Sequence, residues 1–435
     1  MRRIVLLLAV LVSAGGAAPA MAAPRLAHQA PLDLDTASTG WILTSTALVL
    51  LMTLPGLALF YGGMVRRKNL IATIAHSTAA LALVTVLWFV TGYSLSFGTG
   101  PSAINGVIGG FDALLLNGVA PATAHKLAPG LPEFLWIAYQ LTFAIITPAL
   151  IAGAFAERIK FSASLLFFTL WHLLVYAPIC HQVWGGGWMG SLGVLDFAGG
   201  AVVHVNAGVA GLVAALVIGP RHGFGRDNMA PHNLGLTAIG AGLLLVGWLG
   251  FNAGSAWAAD AIAAVAAFNT LLAAAAGAIG WTVVEWIDHR RPTLLGLLSG
   301  LVAGLVGVTP AAGLVDPKGA FLIGLICGPA CYAGAVWLKR ALKYDDSLDA
   351  FGVHGVGGMV GAILTGVFAS AAINPAAAGA SVLNQLIGLV AVAAWSALGT
   401  FAILMVCRFT TGLRVTKEEE IEGLDYTQHG ETIHP

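Results

Sequence analysis

Val203-His204-Val205-Asn206-Ala207-Gly208-Val209-Ala210-Gly211 returns later in the chain as Val353-His354-Gly355-Val356-Gly357-Gly358-Met359-Val360-Gly361. Both read V-H-x-x-x-G-x-x-G, an otherwise apolar segment with one imidazole and small residues at helical spacing. Each follows an aspartate, Asp196 eight residues before its histidine and Asp349 five before. A weaker match joins Phe60-Tyr61-Gly62-Gly63 to Phe251-Asn252-Ala253-Gly254. The V-H segments open the fifth and tenth apolar stretches of the chain, so the repeating unit has five helices. Five is odd, and the second unit must therefore sit inverted in a bilayer relative to the first. Inverted repeats place their substrate path at the interface of the two units, near the membrane midplane. A shared two-fold axis then brings His204, entering from one side, toward His354, entering from the other. Spacing alone leaves each in the first third of its span, so their meeting is an expectation for the structure to test.

Working outward, apolar stretches fall at 41–64, 70–97, 134–156, 162–180, 198–219, 233–252, 258–284, 294–310, 319–341, 352–370 and 385–407. Only 9% of the 435 residues are charged, against roughly 25% in a globular domain. With 58% hydrophobic residues, a soluble fold would lack the charge to cover its surface. The expected fold is an all-α membrane protein: eleven transmembrane helices in a five-plus-five inverted repeat with one extra C-terminal helix. A formal net charge of zero removes the basic footprint that nucleic-acid binding needs. Cys180, Cys327, Cys331 and Cys407 stand in or at the ends of apolar runs and read as small packing residues. No metal or cofactor pattern is present, and no cofactor is expected. Recurrent small residues such as Gly296, Gly300 and Gly304 suit close helix approach in lipid. A histidine in a span is costly unless it is paired or lines a cavity. The two at equivalent repeat positions point to a pore, whereas His76 and His172 read as helix-packing residues.

Arg2 and Arg3 precede the apolar run from Ile4 to Val12, and Ala20-Met21-Ala22 supplies small residues for cleavage. Residues 1–22 are therefore expected to be a signal peptide, followed by an extracytoplasmic N-terminus at 23–40, a transport domain at 41–410 and a cytoplasmic tail at 411–435. Positive charge tests the topology independently. Loops assigned inside, with the tail, hold fifteen Lys and Arg, and outside loops of the mature chain hold Arg25, Lys126 and Lys318. The expected location is the cell inner membrane, multi-pass in the lipid bilayer, with the N-terminus periplasmic and the C-terminus cytoplasmic.

Several further motifs flank these segments: Val183-Trp184-Gly185-Gly186-Gly187, Asp196-Phe197-Ala198-Gly199-Gly200 running into His204, and Gly250-Phe251-Asn252-Ala253-Gly254-Ser255. Phe351-Gly352-Val353-His354-Gly355, Gly412-Leu413-Arg414-Val415, Gly423-Leu424-Asp425 and His429-Gly430-Glu431 complete the set. With these the chain resembles the ammonium transporter family, within the wider Amt/Rh superfamily, over nearly all of its mature length. The resemblance implies a homotrimer with one path per protomer and a tail important for activity. It further implies an outer recruitment site for ammonium at Trp184 and Ser255, a stacked gate of Phe143 and Phe251, twin pore histidines at His204 and His354, and an essential buried carboxylate at Asp196. The outer-site aromatic that is often Phe in the family is Tyr139 here, whose hydroxyl could add an acceptor to the recruitment site. A PII-type signalling protein is the partner that the resemblance implies for the tail, although the run Lys417-Glu418-Glu419-Glu420 by itself reads as a solvated segment.

The residue types suit this chemistry. An indole face attracts a cation and a serine hydroxyl accepts a hydrogen bond. Neither separates ammonium from potassium by charge, so selectivity is best explained if ammonium gives up a proton and ammonia passes the apolar section. Paired imidazoles can share one hydrogen bond in complementary tautomers, and two positive charges there would repel in a low dielectric. That permits a proton relay without requiring one. Asp196 can steady the cation or cap the fifth helix, and the second role is expected to dominate; Asp349 is expected to cap the tenth. Two rival classes stand beside transport. An ammonium sensor acting on a cytoplasmic partner would use the same site, but no output domain follows the tail. An intramembrane enzyme would need an H-E-x-x-H or nucleophile-base arrangement that the chain lacks.

Overall fold

The computed structural model describes residues 34–121 and 123–433. The expected signal peptide at 1–22 lies outside the described residues. Ten helices are long and apolar enough to cross a membrane: α1 (Thr36–Met64), α2 (Arg67–Phe97), α3 (Glu133–Phe155), α4 (Phe161–Leu192), α5 (Gly200–Ile218), α6 (Leu234–Gly254), α7 (Ala261–His289), α9 (Pro317–Leu342), α10 (Ala350–Phe368) and α11 (Val382–Thr410). Between α7 and α9 stands the shorter apolar helix α8 (Leu294–Val308). All eleven expected stretches are thus helical, but α8 has 15 residues. That is about 23 Å of rise against a hydrocarbon core of about 30 Å. It stops at Val308, before the expected boundary, and a turn follows.

Helix starts are set by short polar side chains. The Asp35 carboxylate accepts from the N–H groups of Ala37 (3.0 Å) and Ser38 (3.1 Å), so α1 begins at Thr36, ahead of the expected start at residue 41. Asn233, Asp260, Thr293, Asp316 and Ser381 cap α6, α7, α8, α9 and α11 in the same way. Within α1, Leu54 leaves the helical region (φ −131°, ψ 116°), as the residue before Pro55 tends to do. A short hairpin of β1 (Ala124–His125) and β2 (Ala128–Pro132) precedes α3.

The small-residue stripe of α8 packs on α7: a Cβ on Gly300 would lie 2.8 Å from the Gly277 carbonyl, and Gly304 sits on the backbone of Ala273 and Ala274. The best-covered helix is α3, with 83% of its apolar window buried, against 33% for α11. The interior of the bundle centres on α3 and on α5, which is 78% buried and packs against α10. The last two cross antiparallel, with Gly200 against Gly358, Gly208 against Gly355 and Gly211 against Ala350. This is the crossing an inverted repeat requires. The repeated glycine four residues after each histidine stands at the closest approach, where a Cβ on Gly358 would lie 2.9 Å from the Gly200 carbonyl.

The tail differs from a solvated segment. It forms α12 (Lys417–Glu422) and α13 (Leu424–His429) against the face that carries the basic loops. Glu420 accepts from the His222 N–H at 2.5 Å and from Arg414 at 2.7 Å. Asp425 accepts from the Ala72 N–H at 2.8 Å, and the Leu424 N–H donates to Asn69 Oδ1 at 2.9 Å. Beneath them, buried Glu157 pairs with Arg66 (2.9 Å) and Arg221 (3.2 Å), and Arg221 pairs with Asp345 (2.8 Å). Burial pushes the Glu157 and Asp345 carboxyls up, but the guanidinium groups outweigh it and hold both below the usual carboxylate range.

Candidate functional site

The crossing of α5 and α10 brings the two histidines together. Each helix opens with a wide π-type turn, Gly200–Val205 and Ala350–Gly355, and each turn carries its histidine next to last. The Nδ1 atoms of His204 and His354 lie 3.3 Å apart, with ring centroids separated by 5.3 Å and planes 20° apart. Both rings are buried, and His204 Nε2 has no protein partner. They border a cavity of only about 10 Å³, whose other walls include Leu57, Ile146, Leu150, Leu244 and Val302. That volume is at the threshold for one water molecule.

Trp248, which the sequence reading passed over, braces this pair. Its ring stacks on His204 at 5.4 Å and 23°, and its indole N–H donates to Thr309 Oγ1 at 2.9 Å. The signal was present: Trp248 stands three residues before Phe251 and shares its helix face.

Outward from His204 the rings continue. His204 and Phe251 stack at 5.9 Å, Phe251 and Phe143 at 4.3 Å, and Phe143 meets Trp184 edge-on at 5.8 Å. Above Phe143 opens a vestibule of about 240 Å³ lined by Trp184, Ser255, Asp196, Gln140, Trp136 and Trp257, among others. The Ser255 hydroxyl donates to the Phe251 carbonyl at 2.8 Å and keeps its lone pairs. Tyr139 does not line this space. Its hydroxyl lies 2.8 Å from the Gly250 carbonyl, 2.9 Å from that of Phe251 and 3.3 Å from Ser255 Oγ, so it ties α3 to the last turn of α6. The Tyr139 hydroxyl thus donates to backbone one layer behind Phe143 and does not stand in the vestibule as the extra acceptor expected of it. Trp136 and Trp257 supply the aromatic wall instead.

Asp196 is a cap. Its carboxylate accepts from Gly199 (2.9 Å), Gly200 (2.6 Å), Ala201 (2.9 Å) and Val202 (2.9 Å), which takes up the free N–H groups at the start of α5. Its own carbonyl accepts the Trp184 indole N–H at 2.8 Å, so the cap and the vestibule tryptophan are one unit. The repeat partner is not Asp349. Asp346, eight residues before His354 as Asp196 is before His204, accepts from Ala350 (3.1 Å) and Phe351 (2.7 Å). Asp349 adopts φ 59° and pairs with Lys339 without capping α10. Burial, reinforced by Asp349, pushes Asp346 up to about 6.

A narrow apolar centre beneath an aromatic vestibule, set within helices of membrane-crossing length, is the layout of a transporter for a small solute. Residues 40–434 match the model of the Ammonium Transporter Family. An ammonium transporter of Bacillus subtilis is 48% identical over 89% of this chain and 96% of its own length. The crystal structure of Mep2 from Saccharomyces cerevisiae aligns with a TM-score of 0.81 at 36% identity, covering 89% of each chain. A structure described as a sensor Amt protein aligns with a TM-score of 0.81 at 28% identity, over 90% of this chain and 98% of that one. The chain belongs to the ammonium transporter family, and it carries ammonium across a membrane.

Proposed function

We propose that ammonium is recruited in the vestibule against Trp184 and the free lone pairs of Ser255, loses a proton there, and continues as ammonia. Ammonia then passes between Phe143 and Phe251 when those rings part, and moves along the edge of His204 and His354. The single observation behind this reading is the 10 Å³ apolar constriction at the imidazole pair. An ion stripped of water would find almost no replacement contacts there, whereas a neutral base can exchange one hydrogen bond with an imidazole nitrogen. Asp196 acts mainly by fixing the start of α5, and so the position of His204 and Trp184. The removed proton can follow through the shared imidazole hydrogen bond, which would make transport electrogenic without an ion crossing the apolar section.

On the family resemblance we place the protein in the inner membrane as a homotrimer, with cleavage after Ala22, the N-terminus periplasmic and the tail cytoplasmic. The alternation of basic loops supports that orientation. The docked tail offers a folded surface for a PII-type protein. A second reading, sensing of ammonium with a signal to a cytoplasmic partner, is favoured only by the likeness to the sensor Amt protein. Current from purified protein in liposomes after an ammonium jump, with a potassium jump as control, tests the main reading. Current for ammonium alone supports it, and equal currents for both ions would refute it.

A further inference from the structure

Between the loop that follows α5 and the docked tail lies a cavity of about 560 Å³, none of whose walls belongs to the solute path. The loop from 220 to 226 forms one side and the tail from 414 to 420 the other. Four cations face it, Arg221, Arg226, Arg414 and Lys417, against one carboxylate, Glu420. Two of the four are already paired. Arg221 is held by Glu157 and Asp345 beneath it, and Arg414 by Glu420 at 2.7 Å. Glu420 is further engaged by the His222 N–H, and Asp227 lies over Gly223 without lining the space. That leaves Arg226 on the loop and Lys417 on the tail. Both are exposed and, among the described residues, neither side chain has an ion pair or hydrogen bond.

Two like charges on opposite walls of one cavity repel, and the repulsion acts to lift the tail from the loop. An anion between them reverses that sign. A phosphate group suits the pair, because it carries up to two negative charges and three acceptor oxygens, enough to meet a guanidinium fork on one wall and an ammonium on the other. A single carboxylate brings one charge for two cations. The volume falls within the roughly 300–1,000 Å³ of sites for small organic ligands, and the half-buried ring of Phe224 lines the same space. A phosphate joined to a further group therefore has room.

We propose that this cavity binds a phosphate-bearing anion between Arg226 and Lys417, and that the bound anion clamps the tail onto the loop after α5. A soluble diphosphate and an acidic lipid headgroup offer the same chemistry, and the test separates them. Full-length protein in nanodiscs of phosphatidylcholine is titrated with pyrophosphate, with sodium chloride at matched ionic strength as control. Binding is read by calorimetry, and docking by hydrogen exchange of the Leu424 amide, which donates to Asn69 in the docked tail. An anion that binds only the docked form slows that exchange by one plus the ratio of its concentration to Kd, about tenfold at ten times Kd. Arg226→Gln and Lys417→Gln are each expected to weaken pyrophosphate roughly tenfold. Arg291→Gln, the same change of charge in the loop between α7 and α8, should leave binding unchanged. Nanodiscs containing phosphatidylglycerol, without pyrophosphate, form the second arm. Slower exchange there that is lost in the same two variants, with no response to pyrophosphate in either lipid, assigns the site to a lipid headgroup. Equal weakening in all three variants would reduce the effect to adsorption by net charge and overturn the proposal. So would bound pyrophosphate that leaves Leu424 exchange unchanged or faster, or an absence of slowing in both arms.

Discussion

His204 and His354 face one another through their Nδ1 atoms at 3.3 Å. Two lone pairs cannot meet there, so one Nδ1 carries the proton and the other accepts it, and the rings hold opposite tautomers. A relay needs three transfers: a proton enters at the bare Nε2 of the donating ring, its Nδ1 proton crosses to the other ring, and that ring releases its Nε2 proton, which leaves both rings neutral with their tautomers exchanged. The geometry also fixes Nε2 of each ring on the far side from its mate.

Replacing either histidine by alanine breaks this bond and widens a cavity of about 10 Å³. His204→Ala, His354→Ala and the double variant are each expected to lose ammonium current, and any current that remains should be shared with potassium. Currents for both ions, recorded after checking assembly, decide it. Wild-type ammonium current with potassium still excluded in all three would return the pair to helix packing.

Trp184 contributes both an indole face and the N–H held by the Asp196 carbonyl at 2.8 Å. Trp184→Leu removes both and should raise the ammonium concentration for half-maximal current by about 2- to 30-fold, the worth of a cation–π contact of about 0.5–2 kcal/mol. Trp184→Phe keeps a ring and should lose less. Equal half-saturation in wild type and Trp184→Leu would make Trp184 an interfacial belt residue.

Asp196→Ala strands four N–H groups and Asp346→Ala two. At about 1–3 kcal/mol for a stranded buried group, thermal unfolding in detergent should rank Asp196→Ala as the most destabilised, Asp346→Ala next and Asp349→Ala least. Asp196→Glu is expected to impair transport as well, because the longer side chain misplaces the cap. A fully active, fully stable Asp196→Ala protein would contradict the capping role.

Asp425 accepts the Ala72 N–H at 2.8 Å, so Asp425→Ala should free the tail. A loss of about 1–3 kcal/mol corresponds to roughly 5- to 150-fold more undocked tail. Tryptic cleavage at Lys417 reads that population directly. An unchanged cleavage rate would mean that the remaining contacts hold the tail without Asp425.

The lowered pKa values of Glu157 and Asp345 set the sign of an acid effect. A carboxylate held low in the folded protein stabilises it above the ordinary carboxylate range, and that stability disappears as pH falls through the lowered values. The face bearing the tail should therefore keep its stability from neutral pH to about pH 5 and lose it on further acidification. Arg221→Gln removes a partner of both carboxylates and should move the loss to higher pH, measured by tail cleavage with an acid-active protease. A midpoint that stays put would remove the Arg221 pairs from the account.

Period and charge made the bundle legible in the sequence. The apolar stretches, the alternating basic loops and the doubled V-H-x-x-x-G-x-x-G fall within the chain itself, and each follows from what a bilayer tolerates. The aspartate pairing was misread because Asp349 is nearer to its histidine, while the symmetric choice, Asp346, becomes visible only when the N–H groups of each wide turn are counted. The placement of the Tyr139 hydroxyl is hidden for a related reason: a residue four before Phe143 shares its helix face, but which neighbour its hydroxyl reaches depends on where α6 ends.

By itself, the sequence determined the helices, their number and the residues at the repeat positions, since hydrophobic length and periodicity act locally along the chain. Only the tertiary structure decided that His204 touches His354, that Trp248 stacks on the pair, that Trp257 closes against Trp136, and that a charged tail is docked instead of solvated. Each of those contacts joins segments far apart in the chain, and their distances are set by how closely glycines let the helices cross, a quantity that no single segment contains.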